Sequence, residues 1–162
     1  MKDILVKNIM NTSVVSVKLQ DSLKRVIRLL ENNNFSGLLV VDEEGKIKGV
    51  ISERDILKYT RWIVGQPVRD PYKLIEEEGE AAHISGQRGL DVIEFVVSAT
   101  AETVMTDKVI KAQEDSSILD VVRLMNENDI NRVPIVDSWD NVKGIVTRGD
   151  ILKTFEKMAG DA

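Results

Sequence analysis

The stretch Gly49-Val-Ile-Ser-Glu-Arg-Asp-Ile-Leu-Lys58 returns later in the chain as Gly144-Ile-Val-Thr-Arg-Gly-Asp-Ile-Leu-Lys153. Each copy is a short β-branched run ending in a hydroxyl residue, with Asp three positions on and an apolar helical start behind it. Working outward from this pair, an offset of 95 residues aligns 8–59 with 103–154 without a gap, with identity at 15 of the 52 positions. Met10 falls on Met105, Val14 on Val109, Val26 on Val121, Arg28-Leu29 on Arg123-Leu124 and Val41-Asp42 on Val136-Asp137. Other exchanges keep size and character, as with Leu23 for Ile118, Leu30 for Met125 and Ser52 for Thr147, which a repeated core tolerates. The chain is an internal duplication.

A unit of about 50 residues has little core of its own. The two are therefore expected to pack as one domain of roughly 150 residues, related by an approximate two-fold axis. The cleft between them is the natural place for a ligand, and the duplication provides two related positions in it.

Each unit reads β-α-β-β-α, an α+β fold. In the first, Val14, Val15 and Val17 make a strand after an apolar lead over residues 4–10, and Asp21 or Ser22 caps the next helix. Leu23, Val26, Ile27 and Leu30 recur at helical spacing on one buried face. Asn32-Asn33-Asn34 ends that helix. A fully apolar strand over 37–41, a turn with Gly45 at positive φ and a return strand over 47–51 form a hairpin. A helix from about residue 53 to 62 closes the unit. The second unit repeats the order, with a strand at Val109-Ile110 and a cap near Asp115 or Ser116. Its helix face is Ile118, Val121, Val122 and Met125, and its hairpin spans 133–146, followed by a helix over 148–158. The expected divisions are 1–63 for the first repeat with its arm, 64–98 for an inserted linker and 99–159 for the second repeat. Within the insert, Pro67, Pro71, the acidic run 76–80 and the segment 85–89 read as an exposed connection. Leu90, Val92, Ile93, Phe95, Val96 and Val97 read as a helix packed over the cleft in preference to a strand.

Composition sets outer limits. Of 162 residues, 43% are hydrophobic and 30% charged, with a formal net charge of −5, which disfavours the broad basic footprint that nucleic acid requires. Cysteine is absent, so disulfides, thiol nucleophiles and thiolate metal sites are excluded. No run approaches 18 apolar residues and the amino terminus does not resemble a signal peptide, so a cytoplasmic location is expected.

The leads Ile9-Met10-Asn11 and Val104-Met105-Thr106, the strand Val133-Pro-Ile-Val-Asp137 and the two Gly-apolar-apolar-Ser/Thr-x-x-Asp-Ile-Leu closures carry a resemblance. In this order and at a fixed offset they resemble a tandem pair of cystathionine-β-synthase-type (CBS) domains, a Bateman module, over about 105 of the 162 residues. The resemblance implies two such repeats packed as one pseudo-two-fold module. It also implies a sensor binding AMP, ADP, ATP or S-adenosylmethionine, with no catalytic cofactor and with assembly into a homodimer. Carried over residue by residue, the ribose-binding carboxylates fall on Asp55 and Asp150. The hydroxyls holding ribose or phosphate oxygens fall on Ser52 and Thr147. The backbone groups reading the adenine edge fall near Val15-Ser16, Ile110-Lys111, Leu38 and Val133. Arg54, Arg132 and Arg148 are the candidate cations for phosphate, since guanidinium presents donors matched to phosphate oxygens. The copies differ here: Arg54 meets Gly149, Gly37 meets Arg132, Leu39 meets Pro134 and Glu53 meets Arg148. Two unequal sites are therefore expected.

Plainer readings stand beside these. Ser52 with Asp55, and Thr147 with Asp150, have the spacing of a capping box. The arginines are also ordinary surface residues, and Gly49 and Gly144 also permit close approach within a hairpin. Pro134 points to an edge strand or to a missing N–H facing the cleft. Trp62 is expected to pack at the end of its helix. Trp139 reads as a turn side chain folded back on its hairpin or as a subunit contact. His83, alone in the insert, has no companions for metal binding or acid-base work. Three function classes follow: a regulatory adenosine-ligand module, a structural or partner-binding module with vacant sites and, least supported, an enzyme. An output partner would be another chain.

Overall fold

The computed structural model describes residues 4–64 and 86–160. After a 3-10 turn at Val6–Asn8, the order is β1 (Ser16–Lys18), α1 (Leu23–Asn33), β2 (Gly37–Val41), β3 (Ile47–Ser52) and α2 (Glu53–Val64). Then come α3 (Gly86–Ser98), the single turn α4 (Ala101–Val104), β4 (Ala112–Gln113), α5 (Ile118–Glu127), β5 (Arg132–Val136), β6 (Val142–Thr147) and α6 (Arg148–Gly160). The repeated β-α-β-β-α order and the α+β class are as the sequence predicts. Two three-stranded sheets run β1-β2-β3 and β4-β5-β6, with β4 parallel and β6 antiparallel to β5.

Local chemistry explains the elements. The α1 helix buries Leu23, Val26 and Leu30; its N-cap Ser22 accepts from the Arg25 N–H at 3.4 Å, and Asn34 closes it in the left-handed region at φ 52°. In α5, Ile118, Val121 and Met125 are buried and Val122 is half-buried. Its cap is Ser117, which accepts from the Asp120 N–H at 3.1 Å, in place of the expected Asp115 or Ser116. The first strands also begin later than expected: Val14 and Val15 precede β1, and Val109 and Ile110 precede β4. Residues 90–97 are helical within α3. Val92 and Val96, four apart, turn inward while Ile93 and Phe95 are exposed, a helical rather than a two-residue period. Gly86–Gly89, expected in a connection, form the start of this helix. Pro67, Pro71, the 76–80 run and His83 lie outside the described residues.

Pro134 occupies the middle strand of its sheet, not an edge. Its partner on β6 is Ile145, whose N–H and C=O both bond to Asn11, at 3.0 and 2.9 Å, and so face away from β5. The Pro134–Ile145 pair is thus a non-hydrogen-bonded one, where the missing proline N–H takes nothing from the β5–β6 ladder.

The described residues divide into two compact units that cut across the repeats. One comprises the chain up to Ser16, the hairpin tip Val41–Lys48 and the chain from Lys108; the other comprises Val17–Val40 and the described part of Gly49–Asp107. Each repeat's lead is therefore built into the unit that holds the body of the other. In the first unit, Leu5 pairs with Ser117, Ile118 N–H donates to the Ile4 carbonyl at 2.8 Å, and Val6 joins a core of Ala112, Ile118, Val121, Met125, Val133, Ile135, Val146 and Ile151. In the second, Ser22 pairs with Thr100, Leu23 N–H donates to the Ala99 carbonyl at 2.8 Å, and Ala101 is fully buried. The first unit also joins the two hairpin tips, with Lys46 bridged to Asn141 and the Ile47 N–H donating to the Asp140 carbonyl at 3.3 Å.

Candidate functional site

The two strand-to-helix turns are built alike. Ser52 ends β3 and caps α2: its N–H and Oγ donate to Asp55 Oδ2 at 2.9 and 2.6 Å, and its Oγ accepts from the Asp55 N–H at 3.3 Å. Thr147 ends β6 and caps α6 in the same way, at 2.9, 2.6 and 3.3 Å to Asp150. Both are capping boxes closed by the short acid. Each helix start is tied to the strand beside it, the Glu53 N–H donating to the Ser36 carbonyl at 3.2 Å and the Arg148 N–H to the Asn131 carbonyl at 3.0 Å. In each Asp the cap engages Oδ2 and leaves Oδ1 for other company. Both carboxylates are half-buried, so their free edge remains reachable.

At the first turn Thr106 supplies that company: its hydroxyl is 3.4 Å from Asp55 Oδ1, at the long end of hydrogen bonding. Thr106 N–H and C=O also bond Val50 at 2.9 and 3.0 Å, which fixes the lead against β3. The residue at the same place in the first repeat, Asn11, pairs in the same way with Ile145 but accepts from the Ser13 N–H through its side chain. Asp150 Oδ1 has no partner among the described residues. Sequence reading placed Thr106 only in a motif at the start of the second repeat; nothing in the pattern assigned it to the turn of the first.

The glycines before the turns have a role different from easing a hairpin. A Cβ on Gly144 would lie 2.6 Å from Met10 Sδ and 3.1 Å from the Asn11 carbonyl oxygen, and one on Gly49 would collide with Met105 Sδ and come within 3.0 Å of the Thr106 carbonyl oxygen. The lead of the opposite repeat needs that space. Met10, Met105, Gly49 and Gly144 are all preserved between the copies, which is the signal available in the sequence.

The predicted site residues distribute between the units. With the second turn go Val15, Ser16, Ile110, Lys111, Arg132, Val133, Thr147, Arg148 and Asp150; with the first go Leu38, Ser52, Arg54 and Asp55. Leu38 and Val133 are buried in their strands, so their backbone rather than their side chains could meet a ligand. Arg132 stands directly opposite Thr147 across β5 and β6 and is half-buried, whereas Arg54 and Arg148 are exposed on the first turns of α2 and α6. Lys111 is engaged with Asp140. Trp139 is 74% exposed, so it is not folded back on its hairpin. Trp62 stacks on Tyr59 with centroids 6.1 Å apart while remaining 43% exposed. Among the described residues no three His, Cys, Asp or Glu side chains gather as a metal site, and no helix is long and apolar enough to cross a membrane.

The CBS domain model matches twice, over residues 6–61 and 101–157. The chain belongs to the CBS domain family. A Methanocaldococcus jannaschii protein of uncharacterised function is 35% identical over 154 residues, covering 93% of this chain and 90% of the relative. Another from the same organism is 34% identical over 156 residues, but the chain spans only 32% of its length. Among solved structures, the CBS domain pair of protein MJ0100, in complex with 5'-methylthioadenosine and S-adenosylmethionine, is similar with a TM-score of 0.69 and 28% identity. That likeness covers 96% of this chain and 98% of the other. The chain thus spans nine-tenths of one relative and about a third of another.

Proposed function

We propose that this CBS pair is a regulatory module that binds adenosine ligands at the Ser52–Asp55 and Thr147–Asp150 turns and has no catalysis of its own. One observation carries the reading: each capping box holds its Asp through Oδ2 and leaves Oδ1 outside the cap, faced only by the Thr106 hydroxyl at a long 3.4 Å in Asp55. A carboxylate oxygen held in place accepts from the vicinal hydroxyls of a ribose, and N–H groups at a helix start favour nearby anionic oxygen. The CBS pair of MJ0100, bound to two adenosyl compounds, supports this choice of ligand class. AMP, ADP, ATP and S-adenosylmethionine are the candidates. Regulation requires the ligand to bind one arrangement of the protein more tightly than another, with a separate chain in the cytoplasm as the output.

Titration calorimetry of the four compounds into nucleotide-free protein tests the assignment. Saturable binding that is lost when Asp55→Asn and Asp150→Asn are combined supports it; unchanged affinity in that variant sinks it.

Exposed apolar side chains support a second copy as partner. On α2 these are Leu57 and Trp62, 69% and 43% exposed; on α6 they are Leu152, Phe155 and Met158, at 66%, 43% and 44%. Such faces on ordinary surface are uncommon and mark interaction sites. Sedimentation equilibrium is expected to show a dimer that Leu152→Glu with Phe155→Glu dissociates; a monomeric wild type rules this out.

The second reading is a structural module with vacant sites. It is favoured by the capping boxes themselves, which give both Asp residues a complete local role. Absence of binding by all four compounds, in a protein that still assembles, would establish it.

A further inference from the structure

The two turns agree in geometry and differ in charge, and on the reading that both take adenosine ligands this difference decides what each accepts. The capping distances coincide, so selectivity comes from the neighbours. At the second turn Arg132 opens β5 directly opposite Thr147, the residue whose hydroxyl holds Asp150. Directly opposed residues of an antiparallel pair project from the same sheet face, with Cβ atoms about 5 Å apart. The guanidinium is therefore rooted beside the cap, and Arg148 follows on the helix. At the first turn the place of Arg132 is taken by Gly37, which is buried and has no side chain, and Arg148 is replaced by Glu53. Counting Glu53, Arg54 and Asp55 against Arg132, Arg148 and Asp150, the first turn carries one net negative charge and the second one net positive charge.

A second, independent difference concerns the free carboxylate edge. Asp55 Oδ1 already faces the Thr106 hydroxyl, which a ribose must displace or share, while Asp150 Oδ1 has no such partner among the described residues.

We infer that the two positions sort adenosine ligands by charge. The Thr147–Asp150 position takes the nucleoside phosphate, with Arg132 as its specificity-determining cation. The Ser52–Asp55 position takes an adenosyl compound without phosphate. Reversing the order would need cations in place of Gly37 and Glu53 and their loss at Arg132 and Arg148, and only the wild-type arrangement matches an anion to the positive turn.

The test is calorimetry on the full chain at one fixed ionic strength, with AMP and 5'-methylthioadenosine as separate probes. Asp150→Asn is expected to remove AMP binding and retain 5'-methylthioadenosine, and Asp55→Asn to do the reverse. Arg132→Gln is expected to weaken AMP by about tenfold or more, as for a lost charged hydrogen bond, with 5'-methylthioadenosine shifted less than about twofold. Arg132→Lys should recover part of the AMP affinity. Loss of AMP binding in Asp55→Asn, or an unchanged AMP affinity in Arg132→Gln, overturns the sorting while leaving the proposed function standing. Binding of neither probe to the wild type overturns the proposed function and the sorting with it.

Discussion

Gly144 shows how a single hydrogen in place of a methyl group holds a lead in position. Its missing Cβ admits Met10 Sδ, while the Asn11 backbone behind it is held to Ile145 by two hydrogen bonds and cannot retreat far. Gly144→Ala is expected to cost about 1–3 kcal/mol by overpacking, measured by urea unfolding. Truncating the methionine as well, with Met10→Ala, should return part of that loss; a Gly144→Ala protein as stable as the wild type would show that the methionine moves freely. The hairpin aspartates act through hydrogen bonds. The Asn141 side-chain amide, followed by the N–H groups of Asn141 and Trp139, holds the Asp137 carboxyl below the usual carboxylate range against the opposing effect of burial. For Asp42 burial is the largest influence and pushes the carboxyl up, but the Lys46 N–H, the Lys48 ammonium and the Glu44 N–H together bring it below its ordinary value. A carboxyl depressed in the folded state contributes stability above its unfolded pKa, near about 4, and loses it as pH falls through the folded value. The wild type is thus expected to lose stability below about pH 4 more steeply than Asp137→Asn. Parallel acid titrations followed by circular dichroism measure this, and coincident profiles would contradict it.

At the level of elements, helix starts were legible by residue type and only partly by position. The capping-box spacing located Ser52 with Asp55 and Thr147 with Asp150 directly, because hydroxyl and acid lie within one turn and need nothing from the rest of the molecule. For α5 the candidates Asp115 and Ser116 missed the cap by one or two residues. The alignment of Ser22 with Ser117 held the answer, since a repeated helix repeats its cap. Ser117→Ala is expected to destabilise by about 1 kcal/mol, read from the shift in the urea midpoint. A shift no larger than that of an exposed control such as Glu127→Ala would contradict the assignment. For α3 the apolar run 90–97 left helix and strand both open with helix preferred, and the inward Val92 and Val96, four apart, decide it in the structure, whereas Gly86–Gly89 read as loop because glycine lowers helix preference.

For the molecule as a whole, neither compact unit can be assembled from one repeat. The unit holding the second repeat needs Val6, fully buried in its core, Met10 over Gly144 and the first hairpin tip beside Asn141. Burying a valine of this kind contributes about 1.5–3 kcal/mol, a large share of a small domain's margin. Residues 99–162 expressed alone are therefore expected to give a poorly dispersed amide spectrum as a monomer, and adding residues 1–98 should restore dispersion. A well-dispersed spectrum from a monomeric 99–162 fragment would refute this. By itself the sequence determined the duplication, the order of elements, the apolar faces and the two Ser/Thr-x-x-Asp turns, because each depends on spacing within about ten residues or on the copies matching each other. Only the tertiary structure decided that leads 4–11 and 99–106 are exchanged, that Gly49 and Gly144 make room for them, and that Thr106 reaches Asp55. The reason is the duplication itself. With the same methionine and the same glycine in both copies, pairing within a repeat and pairing between repeats satisfy one pattern equally, and the connections and packing of the whole chain select between them.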